Sequence, residues 1–213
     1  MGGKHLMKQV AKDLLEINAV TLSPNEPFTW ASGIKSPIYC DNRLTISYPE
    51  IRTRIAKGIA DLIRESFPEV EMIAGTATAG IPHAAWIAQE LNLPMIYVRS
   101  KPKDHGRGKQ IEGHLTVGQK TLLIDDLIST GGSVLKAVAA AQKEGADVIG
   151  VCGIFSYQLD AADKNFAAAK IPFATLTNYG ELIDVAASDE QITASEKKLL
   201  KKWRQDPENW LED

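Results

Sequence analysis

Cysteine is nearly missing from this chain: Cys40 and Cys152 are the only two in 213 residues. Two thiols make neither a disulfide framework nor a four-cysteine metal site, and they suit a reducing compartment, so a cytoplasmic location is expected. Long apolar runs are also missing. No stretch approaches ~18 uncharged apolar residues, so no segment reads as a membrane span. The opening Met1-Gly2-Gly3-Lys4-His5-Leu6 has no apolar core of signal-peptide type. There is no basic excess either. Lys and Arg number 24 against 27 Asp and Glu, a net charge of -3, which disfavours nucleic acid or a membrane surface as partner. No G-x-x-x-x-G-K-[ST] string occurs, and no G-x-G-x-x-G follows a strand, which removes the main support for P-loop kinases and nucleotide-dependent dehydrogenases.

What is present is a globular composition, 44% hydrophobic and 24% charged, in a chain about 1.4 times a ~150-residue domain. Leu6, Val10, Leu14 and Ile17 recur at helical spacing, and Asn18 ends the run. Short β-prone pieces at 20–22 and 38–40 follow, broken by Pro24, Pro27, Gly33 and Pro37. Ser47, Pro49 and Glu50 predict a capped helix start, with Ile51, Ile55, Ile59, Leu62 and Ile63 as the buried stripe and Phe67-Pro68 as its end. Strands are then expected at 72–74, 95–98, 121–124, 148–155 and 173–176. Helices are expected from Gly80 to about Leu91, and over 134–143, 160–169 and 180–187. Apolar strands separated by helices indicate a mainly parallel sheet covered on both faces, whose ligands bind beyond the carboxyl ends of the strands. The tail from Thr193 has five basic and five acidic residues with Trp203 and Trp210, and reads as a solvated helix docked by its tryptophans. The expected organisation is one compact unit: an N-terminal helix and hood (1–46), an α/β core (47–190) and a C-terminal helical tail (191–213).

Two segments carry chemistry. In Leu122-Leu123-Ile124-Asp125-Asp126-Leu127-Ile128-Ser129-Thr130-Gly131-Gly132-Ser133 a buried strand delivers adjacent carboxylates, then a hydroxyl- and glycine-rich loop opens a helix. Free backbone N–H groups at a helix N-terminus, with hydroxyls beside them, cradle a phosphate. The two acids suit sugar hydroxyls or a water-bridged Mg²⁺. Composition alone would equally allow a capped turn with two solvated acids. In Arg99-Ser100-Lys101-Pro102-Lys103-Asp104-His105-Gly106-Arg107-Gly108-Lys109-Gln110, five basic residues and one acid fall in twelve positions. Proline and glycine argue against regular structure there, and a basic, glycine-hinged loop after a strand suits a lid over a polyanion, or else a solvated surface loop.

These strings resemble the orotate branch of the type I phosphoribosyltransferases. Asp125 to Ser133 matches that family's 5-phosphoribosyl-1-pyrophosphate (PRPP) motif, and Lys103-Asp104-His105-Gly106 behind Arg99 looks like its catalytic loop. Phe28-Thr29-Trp30-Ala31-Ser32-Gly33-Ile34-Lys35-Ser36-Pro37-Ile38-Tyr39 is similar to its hood, and Gly75 to Pro82 to its pyrophosphate-side loop. The resemblance implies an α/β type I phosphoribosyltransferase fold, with a central mainly parallel sheet flanked by helices and a small N-terminal hood. It implies transfer of the phosphoribosyl group from PRPP to orotate, giving orotidine 5′-monophosphate and pyrophosphate on the route to UMP. It assigns Lys103, Arg99 and His105 to catalysis. PRPP would be held by those three with Lys101, Thr78, Ala79, Asp125, Asp126, Leu127, Ile128, Ser129, Thr130, Gly131, Gly132 and Ser133. Orotate would meet Ser129, Lys35, Tyr39, Cys40 and Arg43. Mg²⁺ is the implied cofactor, bound mainly through PRPP near Asp125 and Asp126. A homodimer is implied, each catalytic loop serving the neighbouring subunit's site, and an orotidine-monophosphate decarboxylase is the implied partner enzyme. Two departures stand out. Ser100 occupies a position where many relatives have lysine, and Phe155-Ser156-Tyr157-Gln158 has no arginine where some relatives have one for orotate. The competing readings are a purine or uracil phosphoribosyltransferase, which would lack the hood string, and a PRPP-sensing DNA-binding regulator, which would need a basic appendage.

Overall fold

A computed structural model of the chain describes residues 3–30, 33–101 and 109–211. The first helix, α1 (Gly3–Glu16), buries Val10, Leu14 and Leu15, and Asn18 leaves it in the left-handed region at φ 55°. Two small antiparallel pairs build the hood. Strand β1 (Val20–Leu22) pairs with β4 (Ile38–Cys40), and between them β2 (Phe28–Thr29) pairs with β3 (Lys35–Ser36). A 3-10 helix, Asn42–Ser47, leads into α2 (Pro49–Ser66).

The start of α2 differs from the sequence expectation. Ser47 closes the 3-10 turn instead of capping α2, Tyr48 takes the cap position without a side-chain bond, and Pro49 stands at N1 as expected. The 3-10 turn prevails because Asn42 and Thr45 are buried and the Thr45 hydroxyl donates to the Asn42 carbonyl at 2.6 Å, which commits Ser47 to the turn.

Next come β5 (Met72–Thr76), α3 (Gly80–Leu91), β6 (Met95–Val98), β7 (Ile111–Glu112), β8 (Lys120–Ile128), α4 (Gly132–Lys143), β9 (Asp147–Ser156), α5 (Asp160–Ala169), β10 (Phe173–Asn178), α6 (Tyr179–Ser188) and α7 (Ala194–Gln205). The main sheet has the order β10-β9-β8-β5-β6-β7, parallel throughout except for β7, which runs antiparallel at the edge against β6. Sequence reading missed β7 because a two-residue strand has no periodicity to show. It also ended β8 at Ile124. The strand continues because β9 keeps pairing with it: Asp125 lies opposite Gly153, Leu127 opposite Phe155 and Ile128 opposite Ser156.

Two apolar clusters lie on the two faces. One gathers α1, α2, α3, α6 and the tryptophans of the tail; the other lies under α4 and α5. From β5 the chain crosses through α3 to β6 on one side, and from β8 through α4 to β9 on the other. The strand order therefore reverses between β5 and β8, the place where open α/β sheets leave a crevice for ligand. Among the described residues no helix is long and apolar enough to cross a membrane.

Candidate active site

The crevice is lined by the carboxyl end of β8. Asp125 accepts a hydrogen bond from the Thr76 hydroxyl at 2.7 Å and one from the Asp126 backbone N–H at 3.1 Å. Burial raises its pKa and those bonds hold it back. Burial pushes Asp126 up further, to about 6, helped by the charge of Asp125 and opposed by Arg43. The Asp126 carbonyl is held from across the molecule by the Asn42 side-chain amide at 2.6 Å.

Beyond β8, Ser129, Thr130 and Gly131 turn the chain into α4. Gly131 adopts φ 77°, and a Cβ there would press on the Phe166 ring, so glycine is required on both counts. The first backbone N–H groups of α4 have no partner within the helix, and Ser129, Thr130 and Ser133 bring hydroxyls to the same end, a set able to bind an anion. The side chain of Ile128 is buried in the core, so what it offers the crevice is backbone; half-buried Leu127 flanks it.

Across the crevice runs the loop from Ala77 to Ala79, with a cis peptide between Ala77 and Thr78 and the Ala77 N–H bonded to the Val98 carbonyl at 2.9 Å. Thr78 and Ala79 thus lie just beyond β5, the neighbour of β8 whose Thr76 bonds to Asp125. Arg99 follows β6. Its backbone N–H donates to the Gln110 carbonyl at 2.8 Å, the Gln110 side chain returns a bond to the Arg99 carbonyl at 3.1 Å, and its guanidinium is 3.9 Å from Glu112. A cavity of about 250 Å³ opens here, lined by Thr76, Ala77, Arg99, Ser100, Ser133 and Lys136. Lys101 is exposed beside it. Lys103 and His105 lie outside the described residues.

The hood approaches from the other side. Lys35 donates to the Thr29 hydroxyl at 2.7 Å, and its own carbonyl accepts the Trp210 indole N–H at 2.9 Å. Tyr39 is half exposed and its ring lies 5.9 Å from Phe28. The Cys40 thiol bonds to Asn42 at 3.3 Å, and burial with the nearby charges of Asp126 and Asp41 pushes it well up. Arg43 is bound to Asp41 through two contacts, 2.6 and 2.9 Å, so its guanidinium is taken up by its own turn.

The fold therefore brings Asp125, Asp126, the 129–133 loop, Thr78, Ala79 and Arg99 to the carboxyl ends of β5, β6 and β8, where Arg99 and Ser133 share one cavity; on the hood, Cys40 lies near Asp126, while Lys35 is bonded to Thr29 and Trp210. Sequence reasoning missed Asn42 and Lys136, and it had Thr76 within the Gly75–Pro82 loop without its bond to Asp125. Lys136 had a signal, since it lies one helical turn after Ser133 on the open side of α4. The bonds of Asn42 and Thr76 had none, because they cross 84 and 49 positions of chain.

Adjacent carboxylates and an anion cradle at a strand-order reversal suit a phosphorylated sugar. The phosphoribosyl transferase domain family matches residues 47–186, and the class is that of the type I phosphoribosyltransferases. The chain is 62% identical over 203 residues to the orotate phosphoribosyltransferase of Enterococcus faecalis, covering 95% of this chain and 97% of that one. In fold it is similar to the UMP synthase of Leishmania donovani, with a TM-score of 0.79, 27% identity, and coverage of 92% of this chain and 42% of that one. A Mycobacterium tuberculosis orotate phosphoribosyltransferase in complex with PRPP superposes with a TM-score of 0.66 at 22% identity, over 83% of this chain and 98% of that one. The chain belongs to the orotate phosphoribosyltransferase family.

Proposed function

We infer that the protein joins the ring nitrogen of orotate to C1 of the ribose of PRPP, breaking the bond from C1 to pyrophosphate and releasing orotidine 5′-monophosphate. The supporting observation is the continuous β8–loop–α4 unit, which sets two carboxylates and an anion cradle side by side at the switch point of the sheet. Asp125 and Asp126 accept from the ribose hydroxyls, and the Ser129–Ser133 loop with the start of α4 binds the 5′-phosphate through backbone N–H and hydroxyl groups. Positive charge grows on the sugar in the transition state while negative charge grows on pyrophosphate. Arg99, Lys101, Lys103 and His105 answer the latter, and the closed loop keeps water from the sugar. Thr78 and Ala79 border the pyrophosphate, and the hood's Lys35, Tyr39 and Cys40 and the loop's Ser129 hold orotate. With Arg43 paired to Asp41, its service to orotate requires that pair to open.

Mg²⁺ fits this donor set. Among the described residues no cluster of three or more His, Cys, Asp or Glu could hold a metal, whereas Mg²⁺ characteristically takes one or two carboxylates with substrate phosphates and waters. It would sit near Asp125 and Asp126 and neutralise pyrophosphate charge when bound. A cytoplasmic homodimer, each catalytic loop reaching the neighbouring site, completes the reading, with a decarboxylase consuming the product.

Orotate's ultraviolet absorbance tests the function directly. With protein, PRPP and Mg²⁺ it falls, and Lys103→Ala slows the fall by about 10²–10³, the usual effect of removing one charge-stabilising contact. Turnover of adenine, hypoxanthine or uracil instead of orotate would overturn the assignment of the base.

A further inference from the structure

Tyr157 is the first residue beyond β9, and its backbone N–H donates to the Ile128 carbonyl at 3.1 Å, which fixes it beside Ser129. Its ring stands 5.5 Å from Trp30 of the hood, 5.6 Å from Phe155 and 5.8 Å from Trp203 of α7. The residue is only 3% exposed. Yet its hydroxyl bonds to none of the described residues. Tyr179, equally deep in the same cluster, behaves otherwise, since its hydroxyl donates to the Leu200 carbonyl at 2.9 Å. A tyrosine ring enters a core for its apolar area, but its hydroxyl ordinarily finds a partner there.

The unpartnered hydroxyl belongs to a residue held at the carboxyl end of β9, next to the end of β8 that leads into Ser129. Burial, with Cys40, Tyr39, Tyr179 and Asp126 within electrostatic reach, holds its pKa well above the ordinary phenol value, so it stays a neutral donor. No arginine occurs between β9 and α5, and Arg43 is occupied by Asp41. We propose that the Tyr157 hydroxyl is a specificity-determining group of the base subsite, donating a hydrogen bond to an oxygen of bound orotate. The inference rests on the functional reading above. It explains the missing partner, because the ligand supplies it. The hydroxyl has no protein partner, and once a bound base covers it, a base without a matching acceptor is disfavoured.

Tyr157→Phe deletes this hydroxyl and nothing else, with Tyr179→Phe as its control. Initial rates are measured against orotate and against PRPP, together with thermal midpoints. In Tyr157→Phe the orotate KM rises about 10- to 100-fold, the PRPP KM stays within twofold, and the melting temperature does not fall. Tyr179→Phe shows the reverse, a lower melting temperature with unchanged KM values. An unchanged orotate KM in Tyr157→Phe, or a lowered melting temperature with both KM values shifted alike, would overturn the proposal. Wild-type protein that turns over a different base would overturn the functional reading instead; the same variant is then measured on that base, and an unchanged KM there also sinks the role of Tyr157.

Discussion

Asp125 and Asp126 are neighbours in the chain with different surroundings. Asp125 has the Thr76 hydroxyl, whereas Asp126 has burial, the Asp125 charge and Asp41 raising its pKa to about 6, with Arg43 as the opposing cation. A carboxylate whose folded pKa lies above its unfolded one binds more protons folded than unfolded, so it adds stability as pH falls through about 6, fully present below its ordinary value of 3.8. His83 works the other way. It is buried beside Thr45 and Trp86, with Arg52 over that indole, and its pKa is lowered to about 4, so stability is lost as pH falls from 6.5 toward 4. In the wild type the two slopes oppose one another. Asp126→Asn removes one of them, so thermal midpoints of that variant between pH 6.5 and 4 drop more steeply than those of the wild type. Parallel curves would contradict the assignment to Asp126. In the proposed function the same substitution takes an anionic acceptor from the ribose hydroxyls, and the PRPP KM rises about tenfold.

The helix α3 is pressed closely against the strands that carry the acids. A Cβ on Gly80 would fall against the Ile124 carbonyl and the Thr76 hydroxyl, and one on Gly75 would come within 2.9 Å of the Ile81 Cα. The Gly80 position is the more informative, because Thr76 is the group that orients Asp125. Gly80→Ala forces the helix away from β5 and β8 and costs about 1–3 kcal/mol, as overpacking does, with weaker PRPP binding because Thr76 moves. Urea denaturation with a PRPP titration measures both. Wild-type stability and wild-type PRPP affinity in this variant would show that α3 yields without disturbing Asp125. The longer course of β8 belongs here too: pairing with β9 up to Ser156 holds Asp125 and Asp126 in a strand, where backbone mobility is low.

Hood, core and tail are joined by contacts that reach the site. Asn42 reaches the Asp126 carbonyl, Trp30 packs on Tyr157 and Trp203, and Trp210 donates to the Lys35 carbonyl. The tail thus sets Trp210 against the hood strand that carries Lys35. Its two tryptophans are buried in the same cluster as α1 and α2, while α7 is closed at its start by a Thr193–Glu196 capping box. Trp210→Ala opens a cavity costing about 3–5 kcal/mol and frees the Lys35 strand. The orotate KM then rises more than the PRPP KM, since the β8–α4 unit lies elsewhere. Trp210→Phe keeps most of the packing and loses the hydrogen bond, for about 1 kcal/mol. Melting temperatures and the two KM values of both variants check this; equal rises in both KM values would mean that the tail supports the core generally.

The α/β architecture, the helix stripes and the strand–loop–helix unit from Leu122 to Ser133 were all legible from the residues. Asp125 to Ser133 is contiguous, so its chemistry and its place between strand and helix are written in one short string, and amphipathic periods are local by nature. Thr76, Asn42, Tyr157 and Trp210 were not legible in their present roles. Each acts through a partner distant in the chain, 175 positions in the case of Trp210 and Lys35. Apolar burial is non-directional and brings many side chains together without naming partners. Which hydroxyl is satisfied, which waits for a ligand, and which arginine is already taken follow from the register of packed strands and the angle at which the hood and tail settle on them.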